Sequence, residues 1–403
     1  IEQRVSGADR SVRILLGAGC GLALAGHCAC SAATGVIPKG ERMSTSDPVV
    51  VVGAGVIGAA VAQSLAIRGV GVVLIERAQV AALPSASAAS AALLEPLAGA
   101  APPLVAMAQR SLDRLPGLCD DLRARTGVDP RWSRPGTLFI ARRDREATWL
   151  RDIRAPLFAS AGAASTWLST DEAIECEPAI SPHVLGALRV GSTQSVDAPS
   201  LTRALVADAA GHGAIVLTGT PVIGFRRSGR RIVAVETDSD EVPCKSVVLA
   251  AGAWTAIVAR HLGVDVPTIP VGPQRGQIMA IAPRSSAPRV THVLQGAGGY
   301  AVPKPDGTIF VGATHDDVGF DDALTPEGLR FLGNLVHELV PGLAAEPVVR
   351  TWSGFRPVWR GEDLPMWGPI SGVDNVLVAS GYGAIGLTIA AGVGERVADT
   401  LAL

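Results

Sequence analysis

The sequence predicts an α/β chain in two parts: a parallel sheet flanked by helices, and an α+β part with a second, mixed or antiparallel sheet. Three observations carry this reading. Val49 to Val52 is a continuous β-branched run of the kind buried on both faces, followed by a glycine turn, an Ala-rich helix to Arg68 and a second apolar strand over 72–75. Far downstream, Val247-Val-Leu249 and Val376-Leu-Val-Ala379 are further buried runs that each stop at a glycine-containing turn. Between them, 269–281 and 300–314 read as strands of another sheet, with Pro305-Asp306-Gly307 as a hairpin turn.

The remaining elements follow in order. Residues 78–101 are a Ser/Ala-rich loop, and a helix runs over 107–125. Strands are expected over 136–141 and 186–190, and Asp197-Ala-Pro199-Ser200 opens a helix to about residue 210. A strand series covers 215–217, 222–225 and 232–237, and a polar helix spans 326–339 before a strand over 348–356. The turn Gly381-Tyr-Gly383-Ala-Ile-Gly386 leads into the last helix. These elements divide into a Rossmann-like domain over 48–125, 190–265 and 345–403, and a substrate domain over 126–189 and 266–344. Residues 1–42 hold Arg10, Arg13, a short apolar stretch and small residues, as in an export signal, but Met43 reads as a natural start. They are expected to be an extension to a cytoplasmic enzyme, with export or membrane association as the alternative.

Composition excludes several classes. At 403 residues and 48% hydrophobic, with Ala and Gly dominating over aromatics, the chain has ample core for a globular α/β protein. A net charge of −2 gives no basic field for nucleic acid or an anionic membrane. Cysteines stand at 20, 28, 30, 119, 176 and 244 with no Cys-x-x-Cys spacing, and no histidine pair has ligand spacing, so no metal is expected. Those beyond residue 100 read as reduced core residues. His261 and His315 read as surface or structural.

Gly53, Gly55 and Gly58 have the spacing of a dinucleotide turn. The first makes the turn, the second admits a pyrophosphate, and the third lets the helix pack on its strand. Glu76 ends the next strand, where a carboxylate accepts ribose hydroxyls. A nicotinamide enzyme would add its second mononucleotide half at once. Here the chain leaves and returns twice, which suits FAD better.

These blocks together resemble the D-amino-acid oxidase superfamily of flavoproteins, nearest to glycine oxidases and D-amino-acid dehydrogenases. The resemblance covers about residues 48 to 402. It rests on the dinucleotide unit, Ser87-Ala-Ala-Ser90-Ala-Ala-Leu-Leu94, Leu249-Ala-Ala-Gly-Ala-Trp-Thr255 and Pro270-Val-Gly-Pro-Gln-Arg-Gly276-Gln. It continues through Tyr300-Ala-Val-Pro-Lys-Pro-Asp-Gly307, Val311-Gly-Ala-Thr314 and Trp352-Ser-Gly-Phe-Arg356-Pro357. The order of the blocks is more specific than any one of them.

The resemblance implies roles. Arg356 would grip a substrate carboxylate, for which a guanidinium fork is suited, although taken alone it reads as an ordinary ion-pairing arginine. Tyr300 would turn its hydroxyl to the substrate, its plain alternative being an inward-packed strand aromatic. Arg275 is a weaker candidate. Candidate cofactor contacts are Gly53, Gly55, Val56, Ile57, Gly58, Glu76 and Arg77, then Ser87, Ser90 and Ala91. Val222, Ala251, Gly252 and Trp254 follow, and Gly381, Gly383, Ala384, Ile385, Gly386 and Leu387 close the set. A helix N-terminus at that last turn would favour the negative charge of reduced flavin.

The implied reaction is oxidation of a C–N bond in a small amino acid or secondary amine, by hydride transfer to flavin N5 and hydrolysis of the imine. Oxygen or a quinone would accept the electrons, no nucleic acid would bind, and a homo-oligomer is possible. Two departures stand out: glycine oxidases carry a basic residue where this chain has Ala384, and a glycine where Ala92 stands. Monomeric sarcosine-oxidase relatives attach flavin to a cysteine in the C-terminal third, and this chain has none after Cys244, so the resemblance implies non-covalent FAD. Asp363-Leu-Pro-Met366 is reminiscent of the oxidase of carboxymethylaminomethyl-uridine in tRNA. That enzyme, or a non-catalytic flavoprotein subunit, is the alternative reading.

Overall fold

The computed structural model describes residues 47–263, 269–284, 286–361 and 367–401. The expectations for residues 1–42 and for Asp363-Leu-Pro-Met366 lie outside the described residues.

Val49–Val52 is the centre of a six-stranded sheet. It pairs in parallel with Val72–Glu76 on one side and Ser246–Leu249 on the other. Ile215–Thr218 and Val376–Ala379 extend the parallel set, and Trp367–Pro369 closes one edge antiparallel. Because both faces are covered, the strand carries no polar alternation, and Val49, Val50 and Val51 are fully buried. Each such side chain contributes about 1.5–3 kcal/mol of burial. One face packs on helices Val56–Ile67, Pro102–Thr126, Ala198–Gly211 and Gly386–Leu401. The other packs on a three-stranded sheet of Val222–Ser228, Arg231–Thr237 and Glu241–Pro243.

The second sheet has eight strands, ordered from Val348–Trp359 through Val271–Ile281, Ile309–Gly312, Gly299–Pro303, Val293–Gly296, Thr137–Ala141 and Gly186–Val190 to Ser165–Leu168. Only Val293–Gly296 with Thr137–Ala141 is a parallel pair. One face is sealed by the helix Pro326–Leu339, whose Leu332, Leu335, Val336 and Leu339 are buried at helical spacing. The other is turned toward the six-stranded sheet's glycine turns.

The local signals read from sequence account for most element ends. Asp197 accepts a hydrogen bond from the Ser200 N–H, and Thr325 accepts one from the Gly328 N–H, each capping its helix. The elements over 144–176 and the strand Val293–Gly296 had no clear sequence signal, and two expectations are corrected. The stretch 78–101 is not a plain loop: it holds a helical turn Ala86–Ala89, capped by Ser85, and a short strand Leu93–Leu94 paired with Gln194–Ser195. Strand Val348–Trp359 joins the eight-stranded sheet, where residues from 345 onward were expected with the nucleotide part. It is long enough to cross from one sheet's neighbourhood to the other.

Candidate active site

A cavity of about 750 Å³ opens where the glycine turns of the six-stranded sheet face the eight-stranded sheet. At its first end, Gly53 has φ +103°, and a Cβ there would lie 2.5 Å from the Ala250 carbonyl oxygen. A Cβ on Gly58 would lie 1.8 Å from the Gly53 carbonyl oxygen, so this glycine fixes helix against turn without lining the cavity. Glu76 accepts the Ala54 N–H at 2.8 Å on one carboxylate oxygen and the Ala78 N–H at 3.0 Å on the other. Each oxygen keeps a lone pair for a hydroxyl.

The 78–101 segment forms the next wall. Ser87 Oγ accepts the Val56 N–H at 2.9 Å, which leaves its own proton free to donate at the helix N-terminus. Ser90, Ala91 and Ala92 continue the lining, and Lys304 Nζ donates to the Ala91 carbonyl from behind. Arg77 lies 3.9 Å over the Trp254 ring, which also stacks on Phe320. Ser380, Thr255 and the Gly252 carbonyl form a hydrogen-bonded triangle tying the two downstream glycine turns together.

Gly383 and the start of the helix Gly386–Leu401 also line the cavity. The Gly383 N–H donates to the Pro357 carbonyl at 2.7 Å, so this turn is fastened to the strand that carries Arg356. Gly381 does not line the cavity. With φ +89° and a virtual Cβ 2.8 Å from Trp359, it admits the turn against that strand.

Arg356 and Tyr300 line the same cavity away from the dinucleotide turn. Tyr300 lies close enough to Arg356 for the two to influence each other's charge, and Arg356 Nη1 donates to the Thr314 carbonyl at 2.9 Å. No carboxylate among the described residues lies within 4.0 Å of the Arg356 guanidinium. Burial pushes its pKa down, opposed by Tyr300 and Asp316, yet a guanidinium keeps its charge at any working pH. Burial raises the Tyr300 pKa, so the phenol stays a neutral donor. Arg275, by contrast, is buried and satisfied by Asp316 at 3.0 Å, Asp321 at 3.2 Å and the Ala323 carbonyl at 2.8 Å. Its place is structural.

Glu95 and Arg154 also line the cavity with no motif to announce them, and so does His315, which the sequence led us to expect as a surface or structural histidine. His315 holds Gln274 at 3.1 Å, and its pKa is lowered by burial and then by the Arg356 charge, which favours neutral imidazole. Burial raises the Glu95 carboxyl despite hydrogen bonds from Gln295 and Thr137. Cys119 and Cys244 are core thiols pushed up to about 12 by burial, whereas Cys176 is half-buried, 3.8 Å from His292.

A long, mostly apolar cavity that runs from a phosphate-type glycine turn past an arginine with no carboxylate partner among the described residues is the site of a dinucleotide-dependent oxidoreductase. The chain belongs to the DAO family of FAD dependent oxidoreductases, whose model matches residues 48–400. It is 32% identical over 361 residues to glycine oxidase of Pseudomonas aeruginosa, covering 88% of this chain and 95% of that one. Glycine oxidase of Geobacillus kaustophilus is 31% identical, with 87% and 92% covered. The crystal structure of glycine oxidase from Bacillus cereus superposes with a TM-score of 0.80 at 28% identity, covering 89% and 95%.

FAD is therefore the cofactor, and the residues present fit it. Cradle positions where a Cβ would intrude are glycine, the helix N-terminus and Ser87 supply donors, and Glu76 supplies acceptors. Among the described residues, no helix is long and apolar enough to cross a membrane.

Proposed function

We propose that this chain is a glycine-oxidase-like enzyme that oxidises the C–N bond of a small amino acid or secondary amine, with Arg356 and Tyr300 anchoring the carboxylate. The observation that carries it is the Arg356 guanidinium, without a carboxylate partner among the described residues, lining the same cavity as Tyr300 and the dinucleotide turn. Bound FAD, held without a covalent link, supplies the hydride acceptor. The protein's part is position and field. Arg356 presents two parallel donors to a carboxylate, Tyr300 adds a neutral one, and the apolar wall around them excludes water and strengthens both. Glycine oxidases are matched over 95% and 92% of their own length, so the tRNA-linked and non-catalytic alternatives are not favoured.

Anaerobic titration of the holoenzyme with glycine, sarcosine and D- and L-amino acids tests this. Flavin absorbance near about 450 nm should bleach with one of these classes. Arg356→Ala should abolish bleaching while retaining FAD. Retained bleaching in that variant, or none in the wild type, overturns the reading. Reoxidation by oxygen against reoxidation by a quinone then identifies the electron acceptor.

A further inference from the structure

The cavity does not stop at Tyr300. On the eight-stranded sheet Tyr300 stands opposite Gln295, and Gln295 opposite Phe139, so the three side chains share one face. Adjacent strands are about 4.8 Å apart, which sets Phe139 roughly 10 Å across the sheet from Tyr300. Over the Phe139 ring lies the Arg154 guanidinium, 5.4 Å from its centroid, with Phe158 at 4.8 Å and Trp149 at 6.0 Å.

This cation is held but not neutralised. Arg154 ends a widened, π-helical turn, Leu150–Arg154, between the helices Asp144–Trp149 and Ala155–Ser160. Such turns often mark functional positions. Among the described residues, its hydrogen bonding is limited to Nη1 donating to the Ala98 carbonyl at 3.4 Å, its Nε–H is buried without an acceptor, and no carboxylate lies within 4.0 Å. Glu95, the nearby acid, is turned to Gln295 and Thr137, which both donate to its Oε1. A buried donor without an acceptor is costly, and a guanidinium fixed among aromatic rings is ready for an anion.

We propose that Arg154 is a second anion-binding group of the substrate cavity, and that the chain prefers amino-acid-like amines bearing an acidic group remote from the α-carboxylate. This rests on Arg356 holding the α-carboxylate. The two guanidiniums would then grip opposite ends of an extended substrate, with the oxidised C–N bond between them.

The test uses holoenzyme and a redox-inert probe, so that binding is read apart from turnover. By calorimetry, a carboxyalkyl-thioacetate (a thioether diacid) is compared with the alkyl-thioacetate of equal length and with an aminoalkyl-thioacetate. The wild type should bind the diacid about tenfold or more tightly than the monoacid. In Arg154→Met the two acids should bind alike, while Arg154→Lys should keep part of the preference; flavin content and spectrum report folding of both variants. In turnover, the kcat/KM ratio of N-(carboxyalkyl)glycines to N-alkylglycines should fall in parallel. Equal binding of diacid and monoacid by the wild type, a preference that survives Arg154→Met, or a preference for the cationic tail overturns the inference. If the diacid preference depends on Arg154 but no amine bleaches the flavin, the amine-oxidation reading fails and the anion site stands.

Discussion

Gly276 lies directly against the guanidinium of Arg356: a Cβ at position 276 would sit 2.7 Å from both terminal nitrogens. The two residues are on paired strands, and the absent side chain is what lets the arginine lie flat across its neighbour. Gly276→Ala should therefore push the guanidinium out of line without touching the dinucleotide turn. A displacement on the order of 1 Å costs roughly a hundredfold in rate. The expected outcome is a fall of about that size in kcat/KM, with FAD content unchanged. Steady-state kinetics on flavin-replete protein check it, and wild-type kinetics would mean the arginine is not the anchor.

Tyr300 and Arg356 form one unit, but their contributions separate. Tyr300→Phe keeps the ring that packs with Ala89, Ile278 and Phe310 and removes only the hydroxyl. Loss of a hydrogen bond to a charged group costs about 1.5–3 kcal/mol, so kcat/KM should fall roughly ten- to hundredfold. Thermal stability should stay close to wild type. A variant with unchanged kinetics would return Tyr300 to the role of a packed strand aromatic.

How much of this was legible follows from where each signal resides. The Gly53–Gly58 turn and Glu76 belong to one contiguous strand–helix–strand unit, so local spacing sufficed to place them. Arg356 was legible only through the Gly354-Phe-Arg-Pro block, because nothing in a lone arginine distinguishes an anchor from an ion pair. Arg275 shows the other outcome: a similar Arg in a similar strand, closed off by Asp316 and Asp321, which lie in a loop far along the chain. Arg154 and Glu95 were not legible at all. Their place depends on the parallel pairing of Thr137–Ala141 with Val293–Gly296, a non-local register that no periodicity encodes. The helical turn inside 78–101 was hidden for a different reason: Ser85 caps it through a side-chain bond, and its Ala-rich sequence suits a loop as well as a helix.

Lys304 gives a pH dependence with a definite sign. Burial lowers its pKa from 10.5 to about 8, with Asp197 and Asp306 opposing, while Nζ donates to the Ala91 carbonyl, Ser195 at 3.2 Å and the Val196 carbonyl at 3.3 Å. The folded state therefore gives up this proton more readily than the unfolded chain. Below about pH 8 both states carry it and the fold bears the full cost of the buried charge; between about 8 and 10.5 that cost is progressively relieved. This one group makes stability rise with pH in that window, by about 3 kcal/mol at most. Lys304→Met should remove the rise, so the wild-type minus variant difference in unfolding free energy should climb from pH 7.5 to 10.5. Urea titrations across that range check it, and a flat difference would show that Lys304 is not buried as a cation.

Ala92 offers the last comparison. It takes φ +53°, a conformation that costs a non-glycine residue about 1–2 kcal/mol. The strain belongs to this alanine, since a glycine at the same φ carries none. Ala92→Gly removes the strain but loses about 0.8 kcal/mol of methyl burial and gains unfolded-chain entropy worth about 0.4–1 kcal/mol. The terms nearly cancel, and stability should move by less than about 1 kcal/mol. Ala62, equally buried but inside the helix Val56–Ile67, has no strain to release. Ala62→Gly should cost about 1.5–2 kcal/mol, the sum of helix propensity and the lost methyl. Urea unfolding of the two variants side by side decides it. If Ala92→Gly is as costly as Ala62→Gly, the loop wall beside the flavin site is held by the Ala92 methyl and not merely tolerated around it.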